Sequence, residues 1–548
     1  MGDGPALRVS VPRIEASPAV RQATNKIVTM TITERTQDTV LVEVCGEPLA
    51  QTDFRQQLAD GAYARIVDTP GEFWVARRQG ETITLVASRH GIKQCFYTVR
   101  EGRFYYGPTV DDVVKASNSP WQWNARAIAS VACYWHTLGS DSLHAKVRRL
   151  GAAEMVAWDG SALKRHTFAE PVASRYPNPV GAATEFLVEF IRRHGDGAIL
   201  PLSAGFDSRA ILAAFLSLGR KPICFVMGHD GATDVRVAKS IAARFGLELR
   251  VVALAPKTYV ENRDRILTRT SGTKTPGNWH TWVGAKTLAP EKGMHLFPGS
   301  NGEYARTFFY DRGMIFQAAN ALSSLSVPAF LSAKVRRSAR FPSGSAPELA
   351  YWSTPAGQKH FTSVLAARYG QGSLGDLIDD FYLKERVRNF IGNGIELYSD
   401  ILPVRLPFLQ KEWIDAVRGT SRQMRLNCRW HKAAIGKLCP PLLEFPTDET
   451  GTPMGRPESI KEKLLGAPHG PCVGYSPDLL NTTVFRALLT TETLRIPELF
   501  GSSDLEQFLT TADARSRDVI SLLALWRDYL VRSGTSIDPN IVNRPAVF

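Results

Sequence analysis

The sequence predicts an α/β protein in two parts. An antiparallel β-sandwich comes first, and a doubly wound parallel sheet with a helical C-terminal part follows. Three observations carry this. The stretch "GEFWVARRQGETITLVASRHGIKQCFYTVREGRFYYGP" alternates polar and apolar residues between Gln-Gly, His-Gly and Glu-Gly turns, the rhythm of consecutive hairpins. After Ala182 the period changes, and short apolar runs alternate with amphipathic helical stretches. The 548 residues are also too many for one core and suggest roughly two to four domains.

In chain order, residues 1–25 read as a flexible leader and residues 26–170 as the sandwich. Within the sandwich, "NARAIASVACYW" is a helix and "AAEMVAWDGSALKRHTF" a further hairpin around Asp159-Gly160. Residues 171–181 hold three prolines and form a linker. Residues 182–548 make the second part. "AATEFLVEFIRRHG" is an amphipathic helix stopped by Gly195. "AILPLS" is a continuous apolar strand of the kind buried on both faces of a parallel sheet. "SRAILAAFLSLG", "PICFVMG", "DVRVAKSIAARFG" and "ELRVVAL" continue as helix, strand, helix and strand, and "HLFPGS" is another strand. The remainder is mostly helical with proline-rich joints and shows no internal repeat.

Composition narrows the function classes. The chain is 44% apolar and 22% charged, with a net charge of +13. The excess is spread along the chain. Its densest cluster, "KVRRSAR" (Lys334 to Arg340), reads as a solvated face, which argues against nucleic acid and is compatible with a nucleotide or pyrophosphate ligand. None of the seven cysteines forms a CxxC pair, which argues against a disulfide framework or zinc site and predicts a reduced, cytoplasmic protein. No apolar run is long enough to span a membrane, and the N-terminus lacks the apolar segment of a secretory signal.

Residues 199–219, "ILPLSAGFDSRAILAAFLSLG", put a small-residue turn between a strand end and a helix start. Open parallel sheets bind ligands at such points. The helix N-terminus offers unsatisfied N–H groups and partial positive charge to a phosphate. Ala204 and Gly205 let the backbone come close, and Ser203 and Ser208 offer hydroxyls. Asp207 would repel a phosphate unless a magnesium ion lay between them. The loop therefore predicts a nucleotide–Mg²⁺ site. It is not the ordinary P-loop, since it lacks GxxxxGK. A plain strand–turn–helix capped by Ser or Asp is the bland alternative.

The hexapeptide Ser203-Ala204-Gly205-Phe206-Asp207-Ser208 resembles the SGGxDS pyrophosphate loop of the ATP-pyrophosphatase superfamily. The wider chain resembles its asparagine synthetase branch, together with the β-lactam synthetases and lasso-peptide cyclases. "LVASRHGIKQCFY" and "VRRLGAAEMVAWDG" are similar to parts of that branch's N-terminal, Ntn-hydrolase-like glutamine amidotransferase domain. "VMGHDGATDVRVAKSIAARFGLELRVV" is similar to the strand, acidic turn and helix after its loop. "FPGSNGEYAR" resembles its SGxGxDE loop, and "LPVRLPFLQKEWIDAV" its RVPFLD segment through Arg405, Pro407, Phe408 and Leu409.

The resemblance implies an ATP- and Mg²⁺-dependent carboxylate–amine ligase. The hexapeptide would hold pyrophosphate, Asp207 and Glu303 would ligate magnesium, and Pro201, Met227 and Gly299 would meet adenosine. The substrates would be a small-molecule or peptide carboxylate and an amine. A homo-oligomer or a pathway partner protein is compatible with this.

The match breaks in places. Residue 2 is Gly, where glutamine-dependent members expose a catalytic Cys, and no RGPD-like segment is visible, so no glutaminase activity is expected. Cys45, inside an apparent strand, reads as core. SAG replaces SGG, costing on the order of 1 kcal/mol if that position needs positive φ. Ser300 stands where relatives place a Glu or Tyr that assists the amine. "EFPTDETGTPMG" lacks the lysine that steadies the acyl-phosphate; Lys432 and Lys437 are candidates to replace it, and Glu396 is a candidate base. Trp279, His280 and Trp282 either wall an acceptor pocket or belong to the core. A lasso-type macrocyclase is one specific version of the reading. The rival from another class is a nucleotide-binding pseudo-enzyme acting as a scaffold.

Overall fold

The computed structural model describes residues 32–33, 38–45, 56–57, 60–170, 174–288, 291, 293–306, 314, 340–352, 354–357, 359–360, 374–466, 470, 472–474 and 478–542. The expected leader, most of the "KVRRSAR" cluster, the first residues of the expected linker and the Cys45 side chain lie outside these. The protein is mixed α/β, with antiparallel sheets, a parallel sheet and helices.

Among the described residues nine strands build the first part: β1 Ile32–Thr33, β2 Asp38–Cys45, β3 Glu72–Gln79, β4 Thr82–Ala87, β5 Phe96–Arg100, β6 Arg103–Gly107, β7 Arg148–Arg149, β8 Glu154–Trp158 and β9 Leu163–Thr167. They form a six-stranded antiparallel sheet, β1-β2-β3-β4-β8-β9, and a three-stranded one, β6-β5-β7. Strand alternation sorts the side chains. Trp74, Ala76, Leu85 and Ala87 face Tyr97 and Phe104 of the smaller sheet, and the Phe104 and Trp158 rings stack 6.4 Å apart. Phe73, Val75 and Val86 point the other way, onto Ile66 and Val67 of a short helix.

The hairpin expected at His90-Gly91 is a different connection. β4 and β5 lie in different sheets, and residues 88–95 carry the chain from one sheet to the other. Ile92 and Cys95 are buried in this crossing. Gly91 has φ +58°, and a Cβ there would meet the Ala152 Cα at 3.0 Å. Glu101 and Gly102 do make a two-residue hairpin turn, with positive φ at both. Helices α1 Val110–Ser117 and α2 Ala125–Tyr134 follow β6, each with its N-cap side chain accepting from the first turn.

In the second part, helix α3 Pro179–His194 leads into β10 Ala198–Pro201, α4 Phe206–Ser217, β11 Ile223–Met227, α5 Thr233–Phe245, β12 Leu249–Val252, α6 His280–Leu288 and β13 His295–Leu296. All strand pairs here are parallel, in the order β12-β11-β10-β13. The chain winds outward from β10 to β12 and returns on the other side of β10. The order therefore reverses between β10 and β13, which makes a switch point there. The "LPVRLPFL" segment runs beside β13: the Leu296 N–H donates to the Pro403 carbonyl at 2.8 Å and the Arg405 N–H to the Leu296 carbonyl at 2.7 Å.

A π-wound segment, Tyr382–Ile391, runs into α7 Gly392–Ser399, and α8 Lys411–Arg418, α9 Arg429–Leu438 and α10 Ala514–Arg532 complete the elements used below. The sandwich is fastened to residues 382–399. Lys93 Nζ lies 3.0 Å from Glu396, the Gln94 N–H donates to the same carboxylate at 2.7 Å, and Arg149 donates to Asn389 Oδ1 at 2.8 Å. Trp121 and Trp123 pack with Trp279 and with Trp526 of α10 in a single core that joins the two parts. Among the described residues no helix is long and apolar enough to cross a membrane.

Candidate functional site

A cleft of about 370 Å³ opens at the carboxyl ends of β10 and β11 and the loop after β13. Pro201, Ser203, Gly205, Asp207, Ser208, Met227, Gly299, Ser300 and Glu303, all singled out from sequence, line it together. Leu202, Asp234, Ile391, Tyr398 and Asp448 also contribute to its wall.

The Ser203–Ser208 turn is shaped by its own hydroxyls. Ser208 Oγ accepts from the Ser203 N–H at 3.2 Å, and Ser203 Oγ accepts from the Gly205 N–H at 3.1 Å. Gly205 is the N-cap of α4 with extended backbone, so the amides of Phe206, Asp207 and Ser208 occupy a first turn that has no intrahelical acceptors. Ala204 differs from expectation. Its φ is not positive, so alanine carries no strain there, and its N–H donates to Asp234 Oδ1 at 2.7 Å. It is fully buried, so neither its side chain nor its amide faces the cleft. Phe206 is likewise turned into the core, edge-on to the His431 ring.

Asp207 is held from both sides. His431 Nε2 lies 2.8 Å from Asp207 Oδ1, and as a carboxylate only accepts, the imidazole is the donor. The acidic loop presses on the other side. A Cβ on Gly302 would come within 2.5 Å of the Asp207 carboxylate, and one on Gly299 within 2.8 Å of its Cβ. These glycines let the Glu303 loop pack directly on Asp207. Asn301, at φ 74°, holds that loop by donating to the Phe408 carbonyl at 2.6 Å, which explains why the RLPFL segment belongs with it. Glu303 Oε2 accepts from the Tyr382 hydroxyl at 2.8 Å. Met227 reaches the cleft over Gly284, where a Cβ would meet its sulfur at 2.2 Å.

The cleft is acidic. Asp207, Asp234, Glu303 and Asp448 all line it. Burial, with the charges of Asp234 and Glu449, pushes the Asp448 carboxyl up to about 6. Arg306 stands behind the loop with its guanidinium held strongly cationic against burial by Asp207, Glu303 and Glu449. A bare phosphate would be repelled by four carboxylates; a phosphate that brings a divalent cation would not. Among the described residues no group of three or more His, Cys, Asp or Glu is arranged to hold a metal. Asp207 and Glu303 both line the cleft.

Three catalytic candidates sit elsewhere. Glu396 does not line the cleft. It is buried in an ion cluster with Lys93 and, at 3.6 Å, Arg269. Lys432 points to Glu458 at 3.5 Å, and Lys437 to Glu185 at 3.1 Å on an exposed face. Trp279 and Trp282 are core residues whose indoles donate to the Lys274 carbonyl at 2.7 Å and to Asp400 at 3.2 Å. Ser300 does line the cleft.

Sequence reading missed His431, Tyr382, Ile391, Tyr398 and Asp448. His431 stands beside Lys432 in "RWHKAAIGK", and a lone histidine there carries no periodic signal. Asp448 lies in "EFPTDETGTPMG", the stretch that lacks the family's lysine. A second cavity of about 500 Å³ lies between the sandwich and the helices. Its acids Asp141, Glu154, Glu170 and Asp415 are each paired with an Arg or Lys, as a structural network would be.

No family model matches the chain. No curated protein matches it either. Among solved structures it is similar to the glutamine phosphoribosylpyrophosphate amidotransferase of B. subtilis in complex with ADP and GMP, with a TM-score of 0.18 and 7% identity over 50% of this chain. The match covers 64% of that chain, just under two thirds of its length.

Proposed function

We propose that this chain is an AMP-forming carboxylate–amine ligase of the asparagine-synthetase kind, working in the cleft at the β10–β13 switch point and without glutamine hydrolysis. One observation carries the reading. Asp207 and Glu303 leave the ends of neighbouring parallel strands and line one cleft with the Ser203 and Ser208 hydroxyls and the first turn of α4. ATP would be the substrate attacked: the acid's oxygen bonds to the α-phosphorus, the bond to pyrophosphate breaks, and an amine then displaces AMP to leave an amide.

The residues divide this work. The first-turn amides of α4 and the two serine hydroxyls would receive the pyrophosphate. Pro201, Met227 and Gly299 would wall the adenosine. Asp207 and Glu303 would hold magnesium, which when bound offsets negative charge on the leaving pyrophosphate. His431 and Tyr382 fix those carboxylates by one hydrogen bond each. The sandwich, an amidotransferase-like domain in this reading, acts as a brace: its Lys93, Gln94 and Arg149 grip the segment whose Ile391 and Tyr398 line the cleft.

The test is pyrophosphate release from ATP across a panel of carboxylates, for the full chain and for Asp207→Asn. Release that the substitution abolishes supports the ligase. Tight ATP binding with no release on any acid supports the scaffold instead. Glutamate formed from glutamine would overturn the statement about the sandwich.

A further inference from the structure

The described part of the fold buries two lysines at the seam between sandwich and parallel-sheet part, and treats them oppositely. Lys93 is 5% exposed and lies 3.0 Å from Glu396 and 3.8 Å from Glu43. Lys274 is equally deep, at 4% exposed. Its Nζ makes no hydrogen bond or ion pair among the described residues. It lies 4.8 Å from the centroid of the Phe390 ring, and the guanidinium of Arg386 lies 4.6 Å from the centroid of the same ring. Among the described residues, the charged group acting on Lys274 is another cation, Arg386. Buried cations are ordinarily paired, because an uncompensated charge in a low-dielectric interior is costly. Among the described residues there are two cations and an aromatic surface here, but no anion for the lysine.

We propose that Lys274 and Arg386 form the receiving site for an oxyanion. The site itself does not depend on the ligase reading; the assignment of its source, substrate carboxylate or nucleotide phosphate, does.

The surroundings fit an arriving group. Gly394 faces Lys274 without a side chain, and a Cβ there would stand 3.7 Å from Nζ. Phe390 is followed by Ile391, which lines the cleft, and Tyr398 lines it one turn beyond Gly394. Arg386 also feels the charge of Glu303, which lines the cleft. The ten residues Tyr382–Ile391 are wound as a π-helix, a geometry that recurs at functional sites. Burial and the Arg386 charge pull the Lys274 ammonium down to about 7, so a bound oxyanion would favour its charged form.

Thermal unfolding of the full chain tests this, with acetate, inorganic phosphate or Mg-ATP compared against chloride at equal ionic strength. Acetate and phosphate are expected to raise the wild-type midpoint by about 2 °C or more. Lys274→Met, which removes an unpaired buried charge, is expected to unfold at a higher temperature than wild type in chloride and to gain nothing from either oxyanion. Equal gains in the variant, no gain in wild type, or a lowered variant midpoint would each overturn the proposal. The Mg-ATP arm names the source. If the variant loses that gain as well, the oxyanion is a nucleotide phosphate; if the variant keeps it, the oxyanion is the substrate carboxylate. Asp207→Asn judges the cleft separately: it is expected to lose the Mg-ATP gain and keep the acetate gain, and retention of the Mg-ATP gain would sink the ligase reading while leaving the Lys274 site to its own result.

Discussion

His431 Nε2 donates to Asp207 Oδ1 across 2.8 Å, although 224 positions separate the two residues in the chain. The contact joins the start of α4 to α9, and the imidazole is fully buried against Trp430 and Phe206. A ring held in this way anchors one oxygen of Asp207, a residue that lines the cleft.

His431→Ala should therefore lower kcat/KM for pyrophosphate release by about 10–100-fold, the usual effect of removing a group that orients a metal ligand. His431→Gln, which keeps a donor, should recover part of it. Asp207→Asn should leave none. Steady-state release assays on the three variants check the order; His431→Ala at wild-type rate would show that the contact orients nothing.

Gly302→Ala tests the close packing of the acidic loop. Its new Cβ would come within 2.5 Å of the Asp207 carboxylate, so one of the two must move. The expected cost is about 1–3 kcal/mol of stability, with weaker Mg-ATP binding. Urea unfolding and calorimetric titration measure the two effects. Gly80→Ala serves as a contrast: its φ is +59°, which Gly302 does not share, and nothing lies within 4 Å of the new Cβ, so it should carry backbone strain without the binding defect.

Much of this cleft was legible because it is local in sequence. A continuous apolar strand, a small-residue turn and a helix start place Ser203 to Ser208 by period alone, and β10 and α4 fall where that predicts. The acidic loop after β13 was legible only through the resemblance of "FPGSNGEYAR" to a family loop, since no period marks Glu303. His431 and Tyr382 were not, because their roles come from packing between distant helices, and a lone histidine or tyrosine on an amphipathic face carries no periodic signal. The His90-Gly91 turn misled for the opposite reason: a glycine turn between two strands reads as a hairpin whether the strands pair or separate into two sheets. Ala204 reads as a strained substitute for glycine only if the loop is assumed to need positive φ, and it does not.

Glu72 supplies a pH test of the sheet crossing. Its Oε2 accepts from Ser88 Oγ at 2.7 Å and from the Ile92 N–H at 3.1 Å. Burial pushes its carboxyl up from 4.5 to about 7, and these bonds and Arg149 offset only part of that. A raised acid favours folding while protonated, so its contribution is complete below the ordinary value and is lost as pH climbs through the folded one. Glu72→Gln keeps an oxygen that can accept both bonds and cannot ionise. Its stability relative to wild type should rise between about pH 4.5 and 7 and level off above, reaching on the order of 3 kcal/mol. Urea unfolding at pH 4.5, 6 and 8 follows the gap; a constant gap would mean that Glu72 does not titrate there.

Lys93 and Glu396 decide whether the sandwich is a brace. Read from sequence, Glu396 is a candidate base; in the structure its carboxylate accepts from Lys93 Nζ and the Gln94 N–H, and it lies 3.6 Å from Arg269. A base would lose kcat on Glu396→Gln at unchanged stability, and Lys93 would hardly matter. A brace behaves differently. Removing one partner of a buried ion pair costs about 3–5 kcal/mol, because the other charge is left uncompensated. Arg269 and Glu43 stay nearby, so each single variant should fall at or below the low end of that range. Lys93→Met and Glu396→Gln should each destabilise the chain and lower pyrophosphate release by similar factors, since both release the segment that carries Ile391 and Tyr398 to the cleft. The double variant should be less destabilised than the sum of the two, by about 0.5–3 kcal/mol. A full double-mutant cycle in stability and in kcat measures this. Additive stabilities, with activity lost only on Glu396→Gln, would return Glu396 to the role of base.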